Sequence, residues 1–93
     1  MMKKNTQHIR ILMYFETHKF ITPMDAYRDL GITKLATRIS ELKQMGYLFE
    51  QEMIEVENRY GETTRVMQYS FIGRIDEYNT FTPAIDVLKE LAA

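Results

Sequence analysis

Apolar side chains recur at helical spacing in three blocks between residues 6 and 45, and the period drops to two from residue 47 onward. After Asn5 and Thr6, both good N-cap residues, Ile9, Ile11, Leu12 and Phe15 fall on one broad stripe with Met13 at its flank. Arg10, Tyr14 and Thr17 face the other way, which predicts a first helix over 6–17. Thr22-Pro23-Met24-Asp25 opens a second helix: Thr caps, Pro is preorganised at the first helical position, and an acid in the first turn suits the dipole. Pro23, Ala26, Tyr27 and Leu30 give its inner spacing, and Gly31 ends it as a left-handed cap. Only Gly31-Ile32 precedes the next start, where Thr33 is the expected cap of a helix over 34–45. Leu35, Ile39 and Leu42 form its buried stripe and Gly46 stops it.

Residues 47–57 are rich in aromatic and β-branched residues and read as a strand, with a bulge expected near Glu52 because Met53-Ile54 breaks the earlier phase. Asn58-Arg59-Tyr60-Gly61-Glu62 reads as a hairpin loop, with Gly61 at a positive-φ position. The return strand is expected over 64–71, with Met67, Tyr69 and Phe71 on one side and Val66, Gln68 and Ser70 on the other. Gly73 then punctuates the chain, and 74–81 reads as a polar connection. Thr82-Pro83 repeats the cap-plus-proline start, and Ala84, Val87, Leu88 and Leu91, with Ile85 alongside, mark a final amphipathic helix.

Two short helices joined by a tight Gly-containing turn form a helix-turn-helix. With a helix before and a hairpin after, the order is that of an α+β winged helix-turn-helix: three helices, a two-stranded wing and an added C-terminal helix. Residues 1–72 are then the winged domain and 73–93 a linker and C-terminal helix. The segments Asn5-Thr6-Gln7, Ile21-Thr22-Pro23-Met24-Asp25-Ala26, Leu30-Gly31-Ile32, Leu35-Ala36-Thr37-Arg38-Ile39-Ser40-Glu41-Leu42, Gly46-Tyr47 and Val56-Glu57-Asn58-Arg59-Tyr60-Gly61-Glu62 carry a further likeness. Across residues 5–71 the chain resembles the small winged helix-turn-helix domain of many bacteriophage proteins, which in turn resembles the N-terminal winged helix of Rio-type kinases. The resemblance implies a phage or prophage origin and a DNA-binding role in transcription regulation.

Charge sharpens this picture. The chain has 93 residues, with 12 Lys and Arg against 13 Asp and Glu. The formal net charge of -1 argues against a binder that works by bulk positive charge. Residues 1–46, however, hold eight cations against four anions, and the remainder holds four against nine. A mildly basic helix-turn-helix therefore precedes an acidic wing and tail.

Opposite Leu35, Ile39 and Leu42 the third helix presents Thr33, Lys34, Thr37, Ser40, Glu41 and Gln44, with Arg38 on the flank. Hydroxyls, an amide and long cations are groups that read base edges in the major groove. Glu41 departs from a basic face; it accepts from a cytosine amino group or pairs with Arg38 at i, i+3. Arg59 and Arg65 bracket the wing, 58–65, where Arg suits the backbone or the minor groove. Pairing with Glu57 and Glu62 is the alternative for these two. Lys3, Lys4 and Arg10 are further candidates for phosphate contact. Glu50, Glu52, Glu55 and Glu57 line strand faces. They support an alternative in which the winged helix binds a protein, as an adaptor or an inhibitor of a host factor, through an acidic sheet. Ile85, Val87, Leu88 and Leu91 either pack back on the first helix or join the same helix of a second chain in a homodimer.

Other chemistry has no sequence support. Cys is absent, which removes disulfides and thiolate metal sites. His8 and His18 show no metal-ligand pattern, and His8 sits near the apolar stripe as a structural histidine. The four glycines are isolated, so there is no phosphate loop. Asp25 and Asp29 share a helix face without a cleft. No cofactor and no enzymatic activity are expected. No apolar run reaches a membrane span and no secretory signal opens the chain, so the expected compartment is the cytoplasm.

Overall fold

A computed structural model of the protein describes residues 5–92; Lys3 and Lys4 lie outside the described residues. Helix α1 (Thr6–Tyr14) starts with a reciprocal cap. The Asn5 side-chain oxygen accepts the His8 N–H at 3.0 Å, and the Asn5 N–H donates to His8 Nδ1 at 2.9 Å. The buried stripe is His8, Ile11, Leu12 and half-buried Phe15, at i, i+3, i+4 and i+7. It is rotated from the expected stripe: Ile9 is 40% exposed and Tyr14 is buried. His8 causes the rotation, because both its ring nitrogens are hydrogen-bonded and it can be buried like an apolar residue. Tyr14 is covered by a stacked His18 ring 3.9 Å away, and its hydroxyl donates to Asp29.

Thr22 caps α2 (Pro23–Asp25) in the same reciprocal manner, through Asp25. The helix then widens into a π-helical turn (Ala26–Leu30), which Gly31 closes at φ 68°. Widening changes the residues per turn, so the expected spacing fails. Ala26 is buried and Leu30 half-buried, but Pro23 and Tyr27 are exposed. In α3 (Leu35–Gln44), Leu35, Ile39 and Leu42 are buried as expected. Lys34, not Thr33, holds the N-cap position, without a side-chain cap bond. Buried Ile32 draws the chain inward here, and Thr33 remains exposed one residue too early to reach the free amides.

Strands β1 (Tyr47–Glu57), β2 (Thr63–Ile75) and β3 (Phe81–Pro83) form an antiparallel sheet in the order β1-β2-β3. The register shifts between Leu48 and Phe49, leaving Ile72 as the extra residue on β2, and not near Glu52. The Met53-Ile54 pair needs no bulge: it pairs in register with Met67 and Val66, and of these four side chains Met67 packs against the core while Met53 is exposed. Ile21 exchanges two backbone hydrogen bonds with Tyr69, tying the link before α2 to β2. β2 passes through Gly73, which pairs with Leu48 on one side and Pro83 on the other, so this glycine does not punctuate the chain. A side chain there would strike the Thr82 carbonyl and the Phe81 ring. Thr82-Pro83 belong to β3, not to a helix start, and the turn at 76–80 is held by Asp76 Oδ1, which accepts from Tyr78 and Thr80.

Helix α4 (Ala84–Ala92) lies on β2 and α1, with Val87 fully buried in the common core. Arg74 and Glu90 pair at 3.0 Å beside it. The core joins Ile11, Leu12, Ile21, Ile32, Leu35, Ile39 and Leu42 to Tyr47, Phe49, Tyr69 and Val87. The wing extends beyond it, so the molecule measures 48 Å along its longest axis.

Candidate nucleic-acid interface

Helix α3 is held on three sides and open on the fourth. Its inner side is the core stripe. On the side toward α1, Arg38 Nε donates to Gln7 Oε1 at 2.8 Å and Arg38 Nη1 to Glu41 Oε1 at 2.7 Å. The same Glu41 oxygen receives His8 Nε2 at 2.8 Å. Since His8 Nδ1 accepts from Asn5, Nε2 carries the proton, and the tautomer is fixed by geometry. Arg38 first, and His8 second, hold the Glu41 carboxyl below the usual glutamate range. Its negative charge is therefore matched locally and does not oppose a phosphate. On the side toward β1, Lys43 Nζ donates to Gln51 at 2.7 Å.

The open side carries Thr37, Ser40 and Gln44, with Thr33 and Lys34 at its leading end, all exposed. None of these five side chains is hydrogen-bonded among the described residues. At about 1.5 Å per residue the ten residues of α3 span roughly 15 Å, a length suited to a major groove about 12 Å wide.

The wing tip is built by Asn58, whose side-chain oxygen accepts from the amides of Tyr60 and Glu62, and by Gly61 at φ 78°. Arg59 lies over the Tyr60 ring at 5.9 Å, and Tyr60 is 78% exposed. Arg65 faces its cross-strand neighbour Glu55 at 3.8 Å; both are well exposed, so the pair is weak. Neither arginine is paired with Glu57 or Glu62. Register divides the acidic residues: Glu50 and Glu52 share the face of Ser70 and Gln68, while Glu55 and Glu57 share that of Arg65 and Thr63. The four do not make one acidic surface.

Three contributors escaped the sequence reading. Gln7 and Lys43 act through partners far along the chain, which no local spacing reveals. Tyr60 was readable as an aromatic in a hairpin loop. Of the four apolar residues assigned to dimerisation, Val87 is inside its own chain, Leu88 and Leu91 are half-buried, and Ile85 is 65% exposed. Arg10 reaches back to the Leu30 carbonyl at 3.4 Å. Among the described residues no group of His, Asp or Glu is placed to hold a metal, and no helix is long and apolar enough to cross a membrane.

A helix-turn-helix with an open polar face on its second helix and a projecting hairpin defines a winged helix-turn-helix protein. The winged helix-turn-helix domain family model matches residues 6–74, well over half the chain, and the protein belongs to that family. Membership suggests DNA binding. No curated protein and no solved structure gives a match.

Proposed function

We propose that the protein is a small DNA-binding transcription regulator of phage or prophage type, which seats α3 in the major groove and rests the 58–65 wing on the neighbouring backbone or minor groove. The observation that carries this reading is the open face of α3, polar and unbonded on a helix otherwise fixed on every side. The division of the acidic residues between two faces of the sheet weighs against an acidic protein-binding surface. Titration of duplex DNA at several salt concentrations tests it: log affinity should fall with log salt, at about −0.9 per phosphate neutralised. Failure to bind any duplex at low salt overturns it.

A second copy of the chain is the partner for the outer face of α4. Ile85 lines a groove of about 470 Å³ together with Phe15, Ala84, Leu88 and Ala92. The rim carries Glu16 and Lys89, opposite charges with no ion partner among the described residues. An apolar face with opposite charges on its rim can be covered by its own copy about a two-fold axis, Glu16 of one chain meeting Lys89 of the other. Sedimentation velocity checks this: the wild type should sediment as a dimer and Ile85→Asp as a folded monomer. A monomeric wild type at tens of micromolar removes the dimer and leaves the DNA reading standing.

A further inference from the structure

Arg38 is the long cation most easily assigned to base reading, yet its bonds point elsewhere. Nε is occupied by Gln7 of α1 and Nη1 by Glu41, and three quarters of the side chain is buried. With Nε occupied, the fork that Nε and Nη2 offer to a guanine edge is closed. Nη2 is the guanidinium nitrogen left without a partner among the described residues. The Glu41 oxygen that holds Nη1 is itself held by His8, whose other nitrogen closes the start of α1. The chain of bonds thus runs from the Asn5 amide at the N-cap of α1 to the middle of α3.

We infer that Arg38 and Glu41 are positioning residues, which with Gln7 and His8 lock the rotation of α3 against α1, and that sequence is discriminated by Thr37, Ser40 and Gln44. The assignment rests on the DNA reading above, but the lock itself does not. A rotation of α3 by one residue, about 100°, would carry Thr37 away from the groove, so the lock determines which side chains face the bases. Three short side chains on the open ridge suit this role: a Gln amide bonds adenine N6 and N7, and a Thr methyl meets the thymine methyl. Arg38 keeps only the remaining N–H groups of Nη1 and Nη2 for a phosphate.

Two measurements test this. The first needs no DNA: thermal melting of Arg38→Ala, Glu41→Gln and the double variant. The double variant should melt within about a degree of Arg38→Ala, since Glu41→Gln costs little once Arg38 is gone and the Gln amide oxygen still accepts from His8; independent, additive shifts overturn the lock. The second selects preferred duplexes from a randomised pool. Gln44→Ala and Thr37→Ala should each relax preference at one or two base pairs, by about 5- to 150-fold, without lowering the melting temperature. Arg38→Ala should blunt preference at all of those base pairs together, because α3 is no longer held at one rotation, and should abolish it at no single one. Loss of preference at a single base pair in Arg38→Ala, with Gln44→Ala unchanged, overturns the assignment. If the wild type binds no duplex, the proposed function falls, and the melting series still decides the lock.

Discussion

Tyr14 donates its hydroxyl hydrogen bond to Asp29 across 2.7 Å, and so ties the end of α1 to the π-helical turn that precedes α3. Arg28 reaches the same carboxylate at 2.9 Å and Asp25 at 3.0 Å. Burial and the Asp29 bond push the Tyr14 hydroxyl up to about 12, while Arg28 first and Tyr14 second bring Asp29 down to about 2.

These shifts fix two pH limits. Asp29 titrates lower in the folded chain than its ordinary 3.8, so its contribution is present above about pH 4 and is lost as pH falls toward 2. Tyr14 titrates higher than its ordinary 10, so its contribution is present below pH 10 and is lost as pH rises toward 12. Urea titrations across pH should show both limbs. Tyr14→Phe should flatten the alkaline limb and reduce the acid one; an unchanged alkaline limb would assign it elsewhere.

His8 is buried with both ring nitrogens bonded, one capping α1 and one holding Glu41. Replacement by Leu fills similar space but leaves the Asn5 amide unpartnered and takes one of two donors from the Glu41 carboxylate, which keeps Arg38. His8→Leu should destabilise by about 2–3 kcal/mol, lowering the urea midpoint by roughly 1–2 M.

Two glycines should respond differently to the same substitution. Gly46 sits at φ 101° with the Ile75 carbonyl where a Cβ would go, and Gly31 sits at φ 68° with open space around it. Gly31→Ala therefore meets only the left-handed backbone penalty, about 1 kcal/mol. Gly46→Ala adds a backbone clash and should cost about 3–4 kcal/mol. Calorimetry of the two variants checks the difference; equal shifts would mean that the strand shifts freely.

Thr22 and Thr33 look alike in the sequence but differ in work. Thr22 caps α2, so Thr22→Ala should cost about 1 kcal/mol of stability. Thr33 makes no side-chain hydrogen bond among the described residues, and Thr33→Ala should stay within about 0.5 kcal/mol of wild type while weakening DNA binding. Melting and DNA titration on both variants separate the roles.

Much of the architecture was legible because local signals agreed with tertiary ones. Leu35, Ile39 and Leu42 were placed by spacing alone, and Gly31 and Gly61 were placed by the backbone they must adopt. Misreadings cluster where a residue behaves against its type. His8 is polar yet completes an apolar stripe, which rotated the reading of α1. Tyr27 kept a helical spacing that the π turn does not follow. Gly73 resembled a chain break but is a close strand crossing. The bonds of Arg38 join residues 31 apart to residues three apart, and only folding brings these together.

The hairpin beyond Ile54 and Val66 bears on how this chain can change. Both its faces meet water, and its loop is fastened by Asn58 and Gly61 to its own neighbours and to nothing in the body of the molecule. The loop can therefore be lengthened, recharged or exchanged while the folding unit stays intact. Natural variation and deliberate redesign have the same place to act: a tip whose lettering can be rewritten without touching the frame that presents it.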